Sequence, residues 1–319
     1  MKNKLPELDF KSIRFSSLKD RPSKVNVNDF AKPLAPGGSF LSFTQGLSNI
    51  LAAKDIKEAA ASLARAAREE RTIMLAMGGH PIKVGLGPVI SELLYGNLIS
   101  SISGNGSIMV HDTEVALTGA TSEDVAAGLG SGDFGVTKET GEILNMAIDL
   151  AAQTRKGLGQ TLGEILIDLK APYVAMSVLA SAVLAEKPIT VHVAVGNDVY
   201  HIHPDCDGAH LGAATMDDFR TFCRLVATLG RGAFINLGSA VIMPEVFLKA
   251  LTLTRNMGYD VSDLTTINMD FIKQYRPSVN VVERPTKESG RGYTFIGHHE
   301  IMFPLLMGMA LENLSEKNQ

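Results

Sequence analysis

A chain of 319 residues with 45% hydrophobic content can bury a large core, and open α/β sheets of this length often form one domain. The net charge of −4, with no dense Lys/Arg run, argues against nucleic acid or an anionic membrane as the main partner. Two cysteines, Cys206 and Cys223, do not make a disulfide scaffold, and Met1-Lys-Asn-Lys-Leu-Pro6 lacks the apolar centre of a signal peptide, so a reduced, cytoplasmic chain is expected.

Residues 1–45 are rich in Lys, Ser, Pro and Asn and end in the linker-like PLAPGGSF at 33–40. Such an arm is loosely ordered or packs on a neighbouring subunit, and both readings stand. The principal domain is expected over 46–319. Ile56–Arg68 is an alanine-rich amphipathic helix leading into an apolar strand, Ile73–Met77, that closes on Gly78-Gly79-His80. A helical stretch at 88–98 follows, with Ile90, Leu93 and Leu94 on one face.

Leu98–Leu117 is the stretch around which the rest is organised. An apolar run (Leu98, Ile99, Ile102) meets the link Gly104-Asn105-Gly106, and a helical pattern then carries His111, Asp112 and Glu114. A strand, a tight glycine turn and a helix aiming its free N–H groups at the turn make a place for a phosphate. Glycine-closed apolar runs recur at 189–195 before Gly196-Asn197-Asp198, at 234–237 before Gly238-Ser239, and at 294–296 before Gly297-His298-His299; LTTIN at 264–268 is a further strand. Helical patterns lie between them, so parallel βαβ units are predicted: a Rossmann-like α/β sheet with helices on both faces. Ligands bind outside the carboxyl ends of such strands, so the glycine turns should line one cleft.

The segment 120–140 is glycine-dense and reads as a long functional loop with one helical turn. Helical patterns at about 140–155, 160–170 and 172–186 follow, some of them assigned to a subunit contact. Ala171–Ala185, the longest apolar stretch, is shorter than the ~20 residues of a bilayer span and is expected as a buried helix. Helices are also expected at about 216–229, after Pro244, and at 300–314 with Phe303, Leu306 and Leu311 inward.

Among groups able to do chemistry, Asp112 and Glu114 cannot share a helix face, whereas His111 and Glu114 can. The densest constellation is His201, His203, Asp205, Cys206, Asp207 and His210. On a strand, His201 and His203 point the same way and suit a metal with Asp207, the basis for a metal-dependent hydrolase or lyase. Alternatively Asp207 binds ribose hydroxyls or a substrate ammonium and His203 transfers a proton, or the histidines only pack and hydrogen-bond. At the start of the last helix a neutral His298 or His299 is expected, able to polarise a ligand group.

The order of these turns resembles the deoxyhypusine synthase superfamily of NAD-binding proteins. The resemblance rests on Gly85-Leu86, Asp207-Gly208 with Leu211-Gly212, the strand before Gly238, Arg255-Asn-Met-Gly258 and Ile301-Met-Phe-Pro-Leu-Leu306. Gly104-Asn105 followed by Val110-His-Asp-Thr-Glu-Val-Ala-Leu117 also resembles the NAD-binding domain of the ornithine cyclodeaminases related to the lysine-oxoglutarate reductase region. The resemblance implies an NAD-binding subunit, commonly a homotetramer, in which Gly78, Gly79, Gly104, Asn105, Gly106, Asp112, Asp207, Gly208, Gly238 and Ser239 surround NAD. It does not reach the synthase's catalytic lysine: 268–285 is short, and the chain has no Trp-Gly-Lys sequence and no tryptophan. The expectation is an NAD-dependent transferase- or lyase-type enzyme of amine metabolism acting on a small amine or amino acid, not a deoxyhypusine synthase. Asp112 and Asp207 would hold the substrate ammonium, with His203 and His298 as further catalytic groups and no metal ligand. A catalytically silent NAD-binding protein is the remaining alternative.

Overall fold

The computed structural model describes residues 5–315, which fall into two compact units, one running through Lys54 and the other from Asp55. The first unit holds 3-10 turns at Phe10–Ser12 and Val27–Asp29 and the helix α1 (Phe40–Gly46), begun by Asp9, Asn26 and Ser39, whose side chains accept amides of the turn that follows.

The second unit is built on a six-stranded sheet in the order β3-β2-β1-β4-β5-β6, every pairing parallel. The strands are β1 (Ile73–Met77), β2 (Ser101–Asn105), β3 (Ile189–His192), β4 (Ala233–Leu237), β5 (Thr265–Asp270) and β6 (Arg291–Ile296). The helix α2 (Leu51–Arg68) precedes β1. Then α3 (His80–Lys83) and α4 (Gly87–Tyr95) lead to β2, which α5 (Gly106–Thr118), α6 (Val125–Leu129), α7 (Lys138–Thr154), α8 (Leu158–Asp168) and α9 (Val178–Leu184) connect to β3. The helices α10 (Gly208–Val226) and α11 (Ile242–Asn256) flank β4. A short α12 (Tyr275–Pro277) running into a π-helical turn joins β5 to β6, and α13 (His299–Ser315) ends the described chain.

Side chains alternate across a strand, so the central strands β1 and β4 feed two cores. Ile73, Leu75 and Met77 pack on one face with residues of α4, α5, α8 and α13, while Met74 and Ala76 face Phe222, Phe234 and Phe247 on the other. Phe234 and Phe247 stack at 3.8 Å between ring centres, fixing α11 against β4. Helices cover both faces, the Rossmann-like architecture that alternating strand and helix patterns predict. Two pairs of buried polar side chains meet across the ladder: Thr190 donates to Ser103 at 2.9 Å and the Asn236 amide to Asn268 at 2.8 Å.

Four expectations are corrected. Gly104 and Asn105 belong to β2 rather than to a turn; Gly104 pairs with Met77 and Val191, and its missing side chain makes room for Ile108. The apolar stretch 171–185 is not one helix: it holds a 3-10 turn at Val174–Met176 and the short helix Val178–Leu184. His201 lies in a 3-10 turn, Val199–Ile202, with His203 as its C-cap, so the two histidines do not share a strand face. In the last helix Phe303 and Leu306 point inward as expected, but Leu311 is exposed. Among the described residues no helix is long and apolar enough to cross a membrane.

Candidate functional site

The connections from β1 and β4 leave in opposite directions, so a crevice opens outside the carboxyl ends of these adjacent strands. Chain turns interlock at this point. The Gly78 amide donates to the Leu237 carbonyl at 3.1 Å, and a Cβ on Gly78 would stand 2.7 Å from the Gly238 carbonyl oxygen. The Gly79 amide donates to Ser107 Oγ at 3.1 Å, and Ser107 in turn donates to Asn105 Oδ1 at 2.7 Å, tying the end of β1 to the start of α5. Gly238 takes φ +67°, the left-handed conformation glycine adopts without strain, and its amide donates to Met269 at 2.9 Å. Ser239 begins the turn into α11 by accepting the Met243 amide at 3.2 Å. The N-termini of α5 and α11 therefore both open on the rim, with their positive dipole ends toward it.

His299 closes the other side. It is 1% exposed, and its ring lies so close to Gly238 that a Cβ there would approach His299 Cε1 to 2.6 Å. Its ring packs edge-on against His80 at 5.2 Å and against Phe271 at 6.2 Å. Nε2 is 3.9 Å from Asp270 Oδ1, and neither ring nitrogen has a hydrogen bond. Burial lowers the imidazole pKa, with Asp270 pulling the other way, so His299 is neutral at pH 7; burial likewise pushes the Asp270 carboxyl up. Sequence reasoning chose His298, which projects into solvent with a 72% exposed side chain. Helix phase was the missed signal: 299, 303 and 306 lie on one face, so the buried Phe303 and Leu306 place His299 inward.

A second cluster adjoins the first through Gly79, whose added Cβ would meet His111 Cδ2 at 2.6 Å. The i, i+3 geometry expected for His111 and Glu114 is present, with Nδ1 and Oε2 3.8 Å apart. Thr121 bridges them, its hydroxyl donating to Glu114 Oε2 at 2.5 Å and lying 2.8 Å from His111 Nδ1. Burial raises the Glu114 carboxyl, but the nearby His111 and Thr121 outweigh it and hold it below the usual range. His203 packs against Gly141 and lines a neighbouring cavity of about 230 Å³ with Glu114, Glu123 and Tyr200.

The other residues singled out from sequence sit elsewhere. Asp112 is fully buried between α5 and α9, accepting from the Ser177 hydroxyl, from the Val178 amide at 2.8 Å and from the Leu179 amide at 3.1 Å. It caps α9, and burial still pushes its carboxyl up to about 6 against these donors. Asp207 caps α10, its Oδ1 taking the Ala209 and His210 amides at 2.7 and 3.1 Å, and these hydrogen bonds hold its exposed carboxyl below the usual range. Gly208 opens that helix with free space around it. His201 Nδ1 accepts the amides of Gly196 and Asp198 at 3.2 and 3.1 Å, which spends that nitrogen on its own turn. Among the described residues no three His, Cys, Asp or Glu side chains converge as a metal set, so the cluster at 201–210 does not assemble as the metal-hydrolase reading requires.

Strand order and helix placement define a Rossmann-like α/β protein with its candidate site at the switch point. No protein-family profile matches the sequence, and no curated protein matches it. Solved structures match in fold. The chain is similar to ArgZ, an arginine dihydrolase from the ornithine-ammonia cycle in cyanobacteria, at 15% identity and TM-score 0.50, over 83% of this chain and 34% of that one. It is similar to AgrE in its ternary complex with ornithine and NAD+ at 12% identity and TM-score 0.51, over 83% of this chain and 33% of that one. An Entamoeba histolytica protein carrying a provisional deoxyhypusine synthase name matches at 12% identity and TM-score 0.48, over 86% of this chain and 94% of that one. At these identities the likeness is one of fold, and the chain spans about a third of the length of the ArgZ and AgrE chains.

Proposed function

We propose that this chain binds NAD at the crevice between β1 and β4 and acts on a small amine or amino acid at a C–N centre. The observation that carries the reading is the crevice itself: three interlocked turns at a Rossmann switch point, beside a buried histidine whose ring nitrogens have no partner. A buried polar group without a partner is costly, and a ligand group reaching His299 would remove that cost, so these residues fit a bound dinucleotide. AgrE, of similar fold, was crystallised with ornithine and NAD+, which supports both the cofactor and the substrate class.

Gly78, Gly79, Asn105, Gly106, Ser107, Gly238 and Ser239 would surround the cofactor, and NAD when bound supplies the hydride acceptor. The chain's own residues bind, orient and exclude water. The tie from Gly79 through Ser107 to Asn105 sets the width of the crevice, and neutral His299 with His80 and Phe271 walls its far side against solvent. The test is NADH formation when the purified protein is given NAD with a panel of primary amines and basic amino acids. Turnover with any of them supports the reading. NAD binding without turnover on the whole panel would instead mark a catalytically silent NAD-binding protein.

A further inference from the structure

The segment after α5 and the turn after β3 close a cavity of about 230 Å³ lined by Lys83, Ser107, His111, Glu114, Glu123 and Asp198 with apolar neighbours. Three carboxylates face one lysine there. Asp198 is 7% exposed and its Oδ2 has no hydrogen-bond partner. It stands over Gly106, where an added Cβ would lie 2.0 Å from Oδ2, so only glycine admits the carboxylate. Burial pushes this carboxyl up to about 6 against the pull of Asn197, Tyr200 and His111, so at neutral pH it is largely an anion, with Oδ1 accepting from the Asn197 amide and Oδ2 left without a hydrogen bond.

The tautomer of His111 follows from its neighbours. Thr121 gives its proton to Glu114, so its oxygen accepts from His111 Nδ1–H, and the lone pair of the neutral ring is left on Nε2. Glu114 is held as an anion by His111, Thr121 and the Ser122 amide. Asp198, Glu114 and His111 all line this one small cavity, two carboxylates and a ring nitrogen lone pair, and an ammonium carries three donors.

We propose that this cavity binds the primary ammonium group of a small amine or amino acid, with Asp198 and Glu114 as its anionic partners and His111 Nε2 as the proton acceptor. In the proton transfer one N–H bond breaks at the ligand and one forms at Nε2; the ligand leaves the step as a neutral amine and the ring as imidazolium. The proposal rests on the amine-acting reading given above and locates its substrate group.

The experiment is calorimetric titration of the NAD-supplemented protein with 1,4-diaminobutane and with L-ornithine, using 1,4-butanediol as the uncharged control. It is run on the wild type, Glu114→Gln and Asp198→Asn, with thermal unfolding of each variant as the check on folding and NAD titrated separately. The expected result is amine binding by the wild type, no diol binding, and a loss of about tenfold or more in either folded variant with NAD affinity unchanged. In the wild type the His111 ring proton signal shifts when amine is added, and the assignment is made by its disappearance in His111→Gln. Amine binding that both variants retain would overturn the cavity assignment and leave the amine-acting reading in place. NAD binding with no amine binding by the wild type would overturn both.

Discussion

The amide of Gly79 donates to the hydroxyl of Ser107 at 3.1 Å, and through that hydroxyl the end of β1 is fastened to Asn105 at the end of β2. Two turns far apart in sequence are thereby held at a fixed separation. Ser107→Ala leaves the Gly79 amide and the Asn105 oxygen without this partner. The expected cost is about 1 kcal/mol of folding stability in urea titration, with NAD affinity reduced several-fold as the crevice loses its fixed width.

Gly238 and His299 compete for one volume. In Gly238→Ala the new methyl meets the His299 ring and the residue keeps an unfavourable positive φ, so a loss of about 1–3 kcal/mol is expected. Removing the ring relieves the clash but not the backbone strain. The double variant Gly238→Ala/His299→Ala is therefore expected to lose less than the sum of the single losses, by about 1 kcal/mol in a double-mutant cycle. Simple additivity would show that the two do not touch.

Asp112 separates a cap from a catalyst. Its carboxylate is enclosed by the first turn of α9, so Asp112→Asn is expected to lower unfolding free energy by about 1–3 kcal/mol while NAD and amine affinities of the folded variant stay within error. A stable variant that no longer binds ligand would return Asp112 to the site.

Asp218 gives the pH dependence. Its Oδ2 accepts the Leu158 amide at 2.8 Å and the Val191 amide at 2.9 Å, and burial pushes its carboxyl up to about 7 in spite of them. The folded state thus binds the proton more tightly than the unfolded chain. Its contribution is complete below the ordinary value of 3.8 and is lost as pH rises through about 7. Buried His192 acts in the opposite sense, its pKa depressed to about 3, with a contribution present above 6.5 and lost as pH falls toward 3. Unfolding free energies of wild type and Asp218→Asn between pH 4 and 7 isolate the aspartate. The difference between them is expected to change steadily across that window, and a flat difference would contradict the assignment.

Much of the fold was legible because parallel strands buried on both faces read as apolar runs closed by glycine, as in Ile73–Met77 before Gly78. Gly104 misled for the same reason: glycine marks turns, but here it serves a packing contact inside β2 that only Ile108 explains. Asp112 could not be read from its neighbours, since the helix it caps starts 66 residues further along the chain. His201 and His203 looked like a strand pair because alternation is a local pattern, whereas the turn is set by His201 Nδ1 accepting the Asp198 amide. The inward turn of His299 was available from helix phase. The Thr121 bridge between His111 and Glu114 comes from a loop whose course no periodicity reports.

The crevice between β1 and β4 is the centre of the account, and titration calorimetry of NAD into the full chain tests it most directly. The expected result is saturable binding of one NAD per chain, weakened in Ser107→Ala. No heat at millimolar NAD from the folded wild type would contradict it.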